Sequence, residues 1–522
     1  MAIDTKVLKK PIKRLLIANR GEIAVRIIRA AQDLGIETVA LYSDADQFSL
    51  HVKLADYAVR LPGNTPAETY LNIPVIVAAV KSSKADAVHP GYGFLSENAD
   101  FADAVTNAGA KFVGPSAKAM RLMGDKIAAK HLMKEHKVPC VPGSENPLRD
   151  VEDLQQHAKS IGFPMILKAA AGGGGRGMRV VRTMKELDEA FAACTREAQS
   201  YFGNPAVFCE RYIENPRHIE VQVLFDEHGN GIHLFERDCS IQRRHQKLIE
   251  EAPSLFLNPE QRAEIGRRAV VAAKASGYAS AGTIEFICES PEKVYFMEMN
   301  TRIQVEHTVS EEISDVDLVR WQILIACGEK LPFKQEDIKL RGWAIEARIN
   351  AEDPAKGFLP GPGRVNQVRF PAGPGVRIDS HLYSGYEIPQ FYDSMVAKLI
   401  VWGPSREIAI ERMKRALAEF EIDGVPTTAK FHEAVLRHPT FLEGSHNTGF
   451  LEKEAAYFKD AFSLNDRDLN ARAALLAAVL ASEDQARGSA GSSAQTSGKT
   501  SEATGSLWRA RGRVSAITKG GL

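Results

Sequence analysis

The 522-residue chain is poor in cysteine: it has six, and no two of them form a C-x-x-C pair. A disulfide scaffold is thereby excluded in practice, and a structural zinc site is disfavoured. The chain also lacks a surplus of either charge, since 66 basic residues balance 66 acidic ones. A dedicated nucleic-acid binder would carry a basic excess, so that class falls away. No apolar run reaches the roughly 18–20 residues of a membrane helix. Met1–Lys13 holds no apolar stretch of signal-peptide length. These absences predict a cytoplasmic protein with no membrane and no nucleic acid among its partners. There is no internal repeat. What is present is ordinary for a globular chain, 44% hydrophobic and 25% charged. At roughly 100–200 residues per domain, the length accommodates about three domains.

Strand and helix patterns alternate at the start. Arg14–Ala18 and Glu37–Tyr42 read as strands. Between them Ile23, Ile27, Ala30 and Leu34 mark a helix over Glu22–Leu34, stopped by Gly35. Asp86–His89 and Lys111–Val113 continue the theme, which implies a parallel sheet. Further strands are expected at Pro164–Ala170, Met178–Arg182, His218–Phe225, Ile232–Arg237 and Trp343–Ile349, and an amphipathic helix at Arg406–Glu419. Leu464–Ala486 contains an Ala/Leu-rich helix. Gly488–Ser506 has linker composition, and Leu507–Leu522 is basic.

Gly172-Gly173-Gly174-Gly175-Arg176-Gly177 formally satisfies G-x-G-x-x-G. In a dinucleotide fold those glycines open a helix, whereas here Met178–Arg182 reads as a strand. Strand, glycine loop and strand make a flap, whose N–H groups can close on phosphates, with Lys168 just upstream as a point charge. Ser497-Gly498-Lys499-Thr500 imitates the end of a P-loop. Ser493 stands where that motif needs glycine, so the match fails.

Gly282–Cys288 and Val294–Met299 are strand-like, joined by the turn Ser290-Pro291-Glu292-Lys293. Pairing Ser290 with Lys293 and counting back sets Glu285 opposite Glu298. Side chains so placed have Cβ atoms roughly 4.5–5.5 Å apart. Two such carboxylates need a shared proton or a cation between them, and magnesium favours oxygen ligands of this kind. A bulge would alter that register. Beyond Glu298 the polar residues Asn300, Arg302, Gln304 and Glu306 alternate with Met299, Thr301, Ile303 and Val305, which predicts an extended chain with one polar face. The run Gln242–Lys247 reads equally well as a solvated face or as an anion site.

These segments, together with Met123–Lys126, Glu236–Ser240, Ala18–Ala24, His89–Asn98 and Arg348–Pro354, resemble biotin carboxylase, a branch of the ATP-grasp enzymes, over about residues 12–452. The resemblance implies an α/β and α+β multidomain chain. Residues 12–125 would be a Rossmann-like pre-ATP-grasp domain, 126–330 the ATP-grasp domain with a mobile lid over about 140–211, and 340–452 the C-terminal biotin carboxylase domain. A helical extension (453–487) and a flexible linker with a basic tail (488–522) would follow.

The same resemblance implies the site. Lys126 and Lys168 would hold ATP phosphates under Gly174 and Gly175. Glu210, Arg211, Tyr212 and Ile213 would line the adenine pocket, with His218, Gln242 and His245 also on the nucleotide. Glu285, Glu298 and Asn300 would hold magnesium or manganese. Lys247, Arg302, Gln304 and Val305 would bind bicarbonate. Glu306 would be the base, Arg348 would stabilise the biotin enolate, and Tyr92 would contact biotin. The reaction implied is ATP- and bicarbonate-dependent carboxylation of biotin through carboxyphosphate, the first half-reaction of a complex such as acetyl-CoA carboxylase. The Met-Lys-Met context of the family's biotinylated lysine is missing from the sequence. That implies biotin on a separate carrier protein, with carboxyltransferase subunits and a homodimer as further partners. The rival readings are another ATP-grasp carboxylate–amine ligase and a non-catalytic scaffold subunit.

Overall fold

The computed structural model describes residues 11–170 and 177–461. Two units divide the chain after Lys453, and the second is described only as far as a helical stretch over 455–461. The expected helix at Leu464–Ala486, the linker and the basic tail lie outside the described residues, as do Gly172 to Arg176.

The first unit begins with β1 (Arg14–Ile17), whose apolar residues Leu15, Leu16 and Ile17 are wholly buried. Helix α1 (Gly21–Asp33) follows, then β2 (Glu37–Tyr42), β3 (Tyr57–Arg60), β4 (Ala87–His89) and β5 (Lys111–Phe112). Their order is β3-β2-β1-β4-β5, all parallel. The alternation in the sequence therefore produced the expected parallel sheet. The strand order reverses between β1 and β4, β2 and β3 being added on one side and β4 and β5 on the other, and this is the crevice where such sheets place ligands. Asn19 spans this crevice: its Nδ2 donates to Pro90 O and Tyr92 O, each at 2.7 Å. Gly91 sits against it with φ +63°, where a Cβ would lie 2.9 Å from Asn19 Nδ2. The turn therefore requires glycine, and it delivers Tyr92 to the crevice.

Helix α2 (Lys126–Glu135) is capped by Asp125, which accepts from the N–H groups of Ile127 and Ala128. Beyond it β6 (Met165–Ala169), β7 (Met178–Val181) and β8 (Val207–Arg211) form an antiparallel sheet in the order β7-β6-β8. Its own small core includes Leu154, Leu167, Cys194 and Cys209. Lys168 pairs with Met178 across β6 and β7, so the strand–loop–strand reading of the glycine segment holds on both flanks.

The largest element is an eight-stranded antiparallel sheet. It contains β9 (Arg217–Phe225), β10 (Gly231–Arg243), β11 (Gln246–Ala252), β12 (Ser280–Cys288), β13 (Val294–Asn300), β14 (Trp343–Asn350), β15 (Val376–Ser380) and β16 (Met395–Gly403). Their order is β13-β12-β9-β10-β11-β14-β16-β15. Because β11 pairs with β14, the segments expected on either side of residues 330–340 share one continuous sheet. The helix at Arg406–Glu419 has the predicted bounds, capped by Ser405.

Candidate active site

The site is built on the face of this sheet. In the β12–β13 hairpin Glu285 stands opposite Glu298, as counted from the turn, but by a less direct route. Near the turn the register is one residue off that count, with Cys288 opposite Val294. A bulge at Met297, between the pairs Phe286–Phe296 and Glu285–Glu298, restores it. On its other side Glu285 faces Glu220 of β9, and Glu220 faces Arg237 of β10. Three carboxylates and an arginine thus form a row across four strands.

Arg237 is wholly buried and fully satisfied. It donates to Glu220 (2.7 Å), Gln222 (2.7 Å), Ser310 (2.9 Å), Thr283 (3.1 Å) and Gln304 (2.7 Å). Lys247 joins the row from β11, with Nζ donating to Glu306 at 2.5 Å, to Glu285 at 3.2 Å and to Glu220. Gln242 donates to His218 Nδ1 at 3.0 Å, which leaves His218 Nε2 to face Glu285 at 3.0 Å. Burial opposes charge on Glu285, yet Lys247 and His218 hold it well below the ordinary carboxylate range. Glu298 moves the other way, raised by burial and then by the charge of Glu285, against the pull of Lys126. The two carboxyls thus differ: Glu285 is held ionised by its neighbours, and the charge of Glu298 is opposed. The donors are hard oxygens, so the residues fit magnesium or manganese. Asn300 shows the site with its nitrogen: Nδ2 donates to Glu285 at 2.7 Å, while Oδ1 accepts from Arg302 at 3.1 Å.

The predicted extended run from Glu298 to Glu306 ends early. Strand β13 stops at Asn300, Thr301–Val305 is irregular, and Glu306 is the N-cap residue of α3 (His307–Ser314). Side-chain and backbone hydrogen bonds replace the ladder. Glu97, from the first sheet's domain, accepts from Thr301 N and Arg302 Nε, both at 2.9 Å. Gln304 donates to Glu285 at 2.9 Å. Glu306 ends up between Lys247 and Arg348, whose guanidinium donates to it at 2.8 Å. Burial opposes its charge, but Lys247, Arg348 and Arg237 hold Glu306 well below its usual range. Arg348 is also gripped by Glu250, at 2.7 Å from Nε. Tyr92 reaches the neighbouring crevice and donates its hydroxyl to Glu22.

Where the resemblance implies the nucleotide, Lys168 donates to Glu210 at 2.6 Å and Lys130 of α2 donates to the other oxygen. Burial of Glu210 is outweighed by these lysines, and its carboxyl stays below the ordinary range. Burial lowers Lys126, with Glu298 opposing and Lys168 adding to the shift. Ile213 is buried. Two expected residues stand apart. The Arg211 guanidinium turns to Glu289, and the N–H groups of Arg211 and Tyr212 are taken by Pro142 O and Pro164 O. His245 is exposed at the two-residue β10–β11 turn, where Arg244 and His245 both have positive φ. Gly174 and Gly175 lie outside the described residues.

Sequence reading missed Glu97, Lys130, Glu220, Arg237 and Glu250. For Glu220 a signal existed. His218, Glu220 and Gln222 alternate with Ile219, Val221 and Val223, the same pattern that exposed Glu298 and Asn300. For Arg237 it was five consecutive polar or cysteine residues, Glu236 to Ser240, inside a strand.

Comparison with known proteins converges on one family. Residues 11–120 match the biotin carboxylase N-terminal domain, 125–334 the ATP-binding domain of the carbamoyl-phosphate synthase L chain, and 346–453 the biotin carboxylase C-terminal domain. Biotin carboxylase 1 of Bacillus subtilis is 55% identical over 442 residues, 84% of this chain and 98% of that one. A pyruvate carboxylase subunit of Methanothermobacter thermautotrophicus is 51% identical over 84% of this chain and 89% of its own length. Among solved structures, the biotin carboxylase domain dimer of Hydrogenobacter thermophilus 2-oxoglutarate carboxylase, with MgADP, ADP and bicarbonate, aligns with TM-score 0.81 at 51% identity. That alignment covers 86% of this chain and 98% of that one. Biotin carboxylase from Campylobacter jejuni, as a β,γ-ATP complex, aligns at 0.82 and 49% identity over 85% and 99%.

Proposed function

The chain belongs to the biotin carboxylase family, and from that premise we propose how its residues divide the work. The activity is ATP- and bicarbonate-dependent carboxylation of biotin, the first half-reaction of biotin-dependent carboxylases. Lys126 and Lys168 receive the phosphates of ATP, beside a pocket bounded by Glu210 and Ile213, with His218 and Gln242 on the nucleotide. Gly174 and Gly175 belong to the cover. Glu285 and Glu298, with Asn300, would hold the divalent cation, which when bound would offset negative charge on the transferring phosphoryl group.

Arg302, Gln304, Val305 and Lys247 orient bicarbonate. Glu306, kept ionised by its two cations, takes the bicarbonate proton as the bicarbonate oxygen bonds to the γ-phosphorus and the bond to ADP breaks. Carboxyphosphate then parts into CO2 and phosphate, phosphate takes the biotin N1′ proton, and the enolate carbon–nitrogen system attacks CO2. Arg348 donates to the enolate oxygen and Tyr92 bounds the biotin pocket. Exclusion of water protects carboxyphosphate.

The observation that carries this reading is Glu306 suspended between Lys247 and Arg348, beside the facing pair Glu285 and Glu298. Glu306→Gln tests it. Biotin-dependent ADP release should fall by about 10²–10⁴-fold, the usual worth of a general base, while ATP affinity persists.

We place biotin on a separate carrier protein, a reading supported by the missing Met-Lys-Met context. A homodimer is supported by the dimeric domain of the Hydrogenobacter relative. A cytoplasmic setting is supported by the six unpaired cysteines. Among the described residues no helix is long and apolar enough to cross a membrane. Relatives named for pyruvate and 2-oxoglutarate carboxylases stand at 51% and 50% identity, so the acceptor is assigned by the carboxyltransferase that co-purifies with this chain.

A further inference from the structure

Lys398 is wholly buried, at 0% exposure. It stands on β16, directly across from Arg348 of β14 on one side and Asp379 of β15 on the other. Its ammonium donates to the carbonyl of Val305 at 2.9 Å and lies 3.3 Å from Glu22 Oε1 and 3.9 Å from Asp379 Oδ2. The same Glu22 oxygen accepts the hydroxyl of Tyr92, and the ammonium also lies 5.9 Å from the centre of the Tyr92 ring. One amine therefore joins three separate stretches of chain: the first turn of α1, the irregular segment ahead of α3, and the far strands of the large sheet.

Burying an ammonium is costly, and an aliphatic side chain would fill the same space without that cost. What an aliphatic residue lacks is a donor for the Val305 carbonyl. A peptide group is planar, so holding that oxygen fixes the plane joining Val305 to Glu306. Glu306 opens α3 from that plane. Its carboxylate must meet Lys247 and Arg348 together, and a displacement of about 1 Å in such a group costs about 10²-fold in rate.

We infer that Lys398 is a positioning residue for the bicarbonate and biotin end of the site, orienting the Val305–Glu306 peptide directly and the Tyr92 phenol through Glu22. This rests on the roles given above to Val305, Glu306 and Tyr92. Lys398 touches none of the residues that would hold ATP or the divalent cation. Its removal should therefore separate the substrates, where a general packing defect would weaken all of them together.

The test is steady-state kinetics of the full-length Lys398→Met variant with free biotin, varying bicarbonate and ATP in turn. The expected result is a KM for bicarbonate raised at least tenfold and a lowered kcat, with the KM for ATP within twofold of wild type. Should the uncompensated Glu22 prevent folding, the double variant Glu22→Gln/Lys398→Met removes the buried charge with its partner and should show the same bicarbonate defect. A folded variant of either kind with bicarbonate KM and kcat within twofold of wild type overturns the inference. So does one in which the two KM values rise in equal proportion. Wild-type ADP release that does not depend on bicarbonate would instead overturn the reading of the site, and this inference with it.

Discussion

Strands β10 and β11 carry buried charge on both faces, and the two faces behave differently. Arg237 and Asp238 are consecutive, as are Glu250 and Glu251, so each pair sends one side chain to the front of the sheet and one to the rear. At the rear, Asp238 accepts from Arg217 at 2.9 Å, Ser240 at 2.6 Å and Ser254 at 2.9 Å. Glu251 accepts from Arg406 at 2.7 Å and Trp343 at 3.3 Å. With His446 these carboxylates have the spacing of a metal site, yet the arginines already neutralise them. At the front, Glu220, Glu285, Glu298, Glu306 and Glu250 share Lys247, Arg237, Arg348 and His218. Burial, the ordinary carboxylate's difficulty on both faces, is overcome by Arg217 for Asp238, which stays far below its usual range. On the front it prevails for Glu298 and Glu250, the latter pushed up to about 7 despite Arg348. The rear has such a case too, since burial raises Glu236 against Arg262. What separates the faces is pairing, each rear carboxylate having an arginine of its own while the front carboxylates share Lys247 and Arg348.

The contrast is broken most forcefully by one substitution on each face. At the rear, Arg217→Met strands Asp238 and should cost about 3–5 kcal/mol of stability, as for other broken buried pairs, with normal turnover by the molecules that remain folded. At the front, Glu285→Gln should lower biotin carboxylation by about 10²–10³-fold. Its stability should change by no more than about 1 kcal/mol, since Lys247 keeps Glu220 and Glu306. Chemical denaturation and ADP release on the same samples measure both. Equal losses of stability on the two faces would erase the distinction.

The second prediction sharpens it with magnesium alone. A ligand that binds only the folded state stabilises by about 2.7 kcal/mol at a hundredfold excess over its Kd. Wild type should gain on that scale. Glu298→Gln should lose the gain, and Glu251→Gln at the rear should keep it. Thermal unfolding with and without chelator reads the difference.

How much of this contrast was legible beforehand follows from the range of the interactions involved. Glu285 and Glu298 were found because a short turn fixes their pairing, although the actual register is off by one at Cys288 and is repaired by a bulge at Met297. That repair depends on packing far from the turn and left no local mark. The polar face of Asn300 to Glu306 was legible, but its strand was not, because Glu97, some two hundred residues upstream, holds Thr301 and Arg302 out of the ladder. Lys398 was invisible for the same reason. A lysine in Met-Val-Ala-Lys-Leu-Ile-Val carries nothing local to say that its partners are Glu22 and Val305. Four of the five strands of the first domain's parallel sheet and helix α1 were legible from their own residues, whereas β3 (Tyr57–Arg60), largely exposed at the sheet edge, carries no buried apolar run to mark it.

The third prediction concerns pH. Glu250 and Glu346 face each other across β11 and β14, both wholly buried. Burial pushes them up to about 7 and about 8, against the pull of Arg348 and Lys398 respectively. A carboxyl raised on folding stabilises below its unfolded value and loses that contribution as pH climbs through its folded value. The native state then holds a proton the unfolded chain has released, so stability should fall with rising pH between about 5 and 8, by at most about 1.4 kcal/mol per unit for one proton. Asp238 has the opposite sign: its contribution is intact above the unfolded carboxylate range and declines only in acid. Glu346→Gln should flatten the alkaline slope and leave the acid limb unchanged, as denaturation midpoints across pH would show.

The smallest expected effect tests whether the front face needs its rim. Glu97 is 40% exposed and Arg302 is 21% exposed, so water screens their pairing, and such pairs contribute about 0.2–1 kcal/mol. Glu97→Gln still offers an oxygen to Thr301 N while surrendering the charge. Stability should therefore move by less than about 1 kcal/mol. Arg302, relieved of its partner, remains tied to Asn300 and Ile303 O, so the KM for bicarbonate should shift by no more than about fivefold, the kinetic equivalent of that same range. A loss as large as that of Glu285→Gln would mean that Glu97 belongs with the carboxylates that share cations at the centre of the site, and the boundary between rim and centre would move outward to include it.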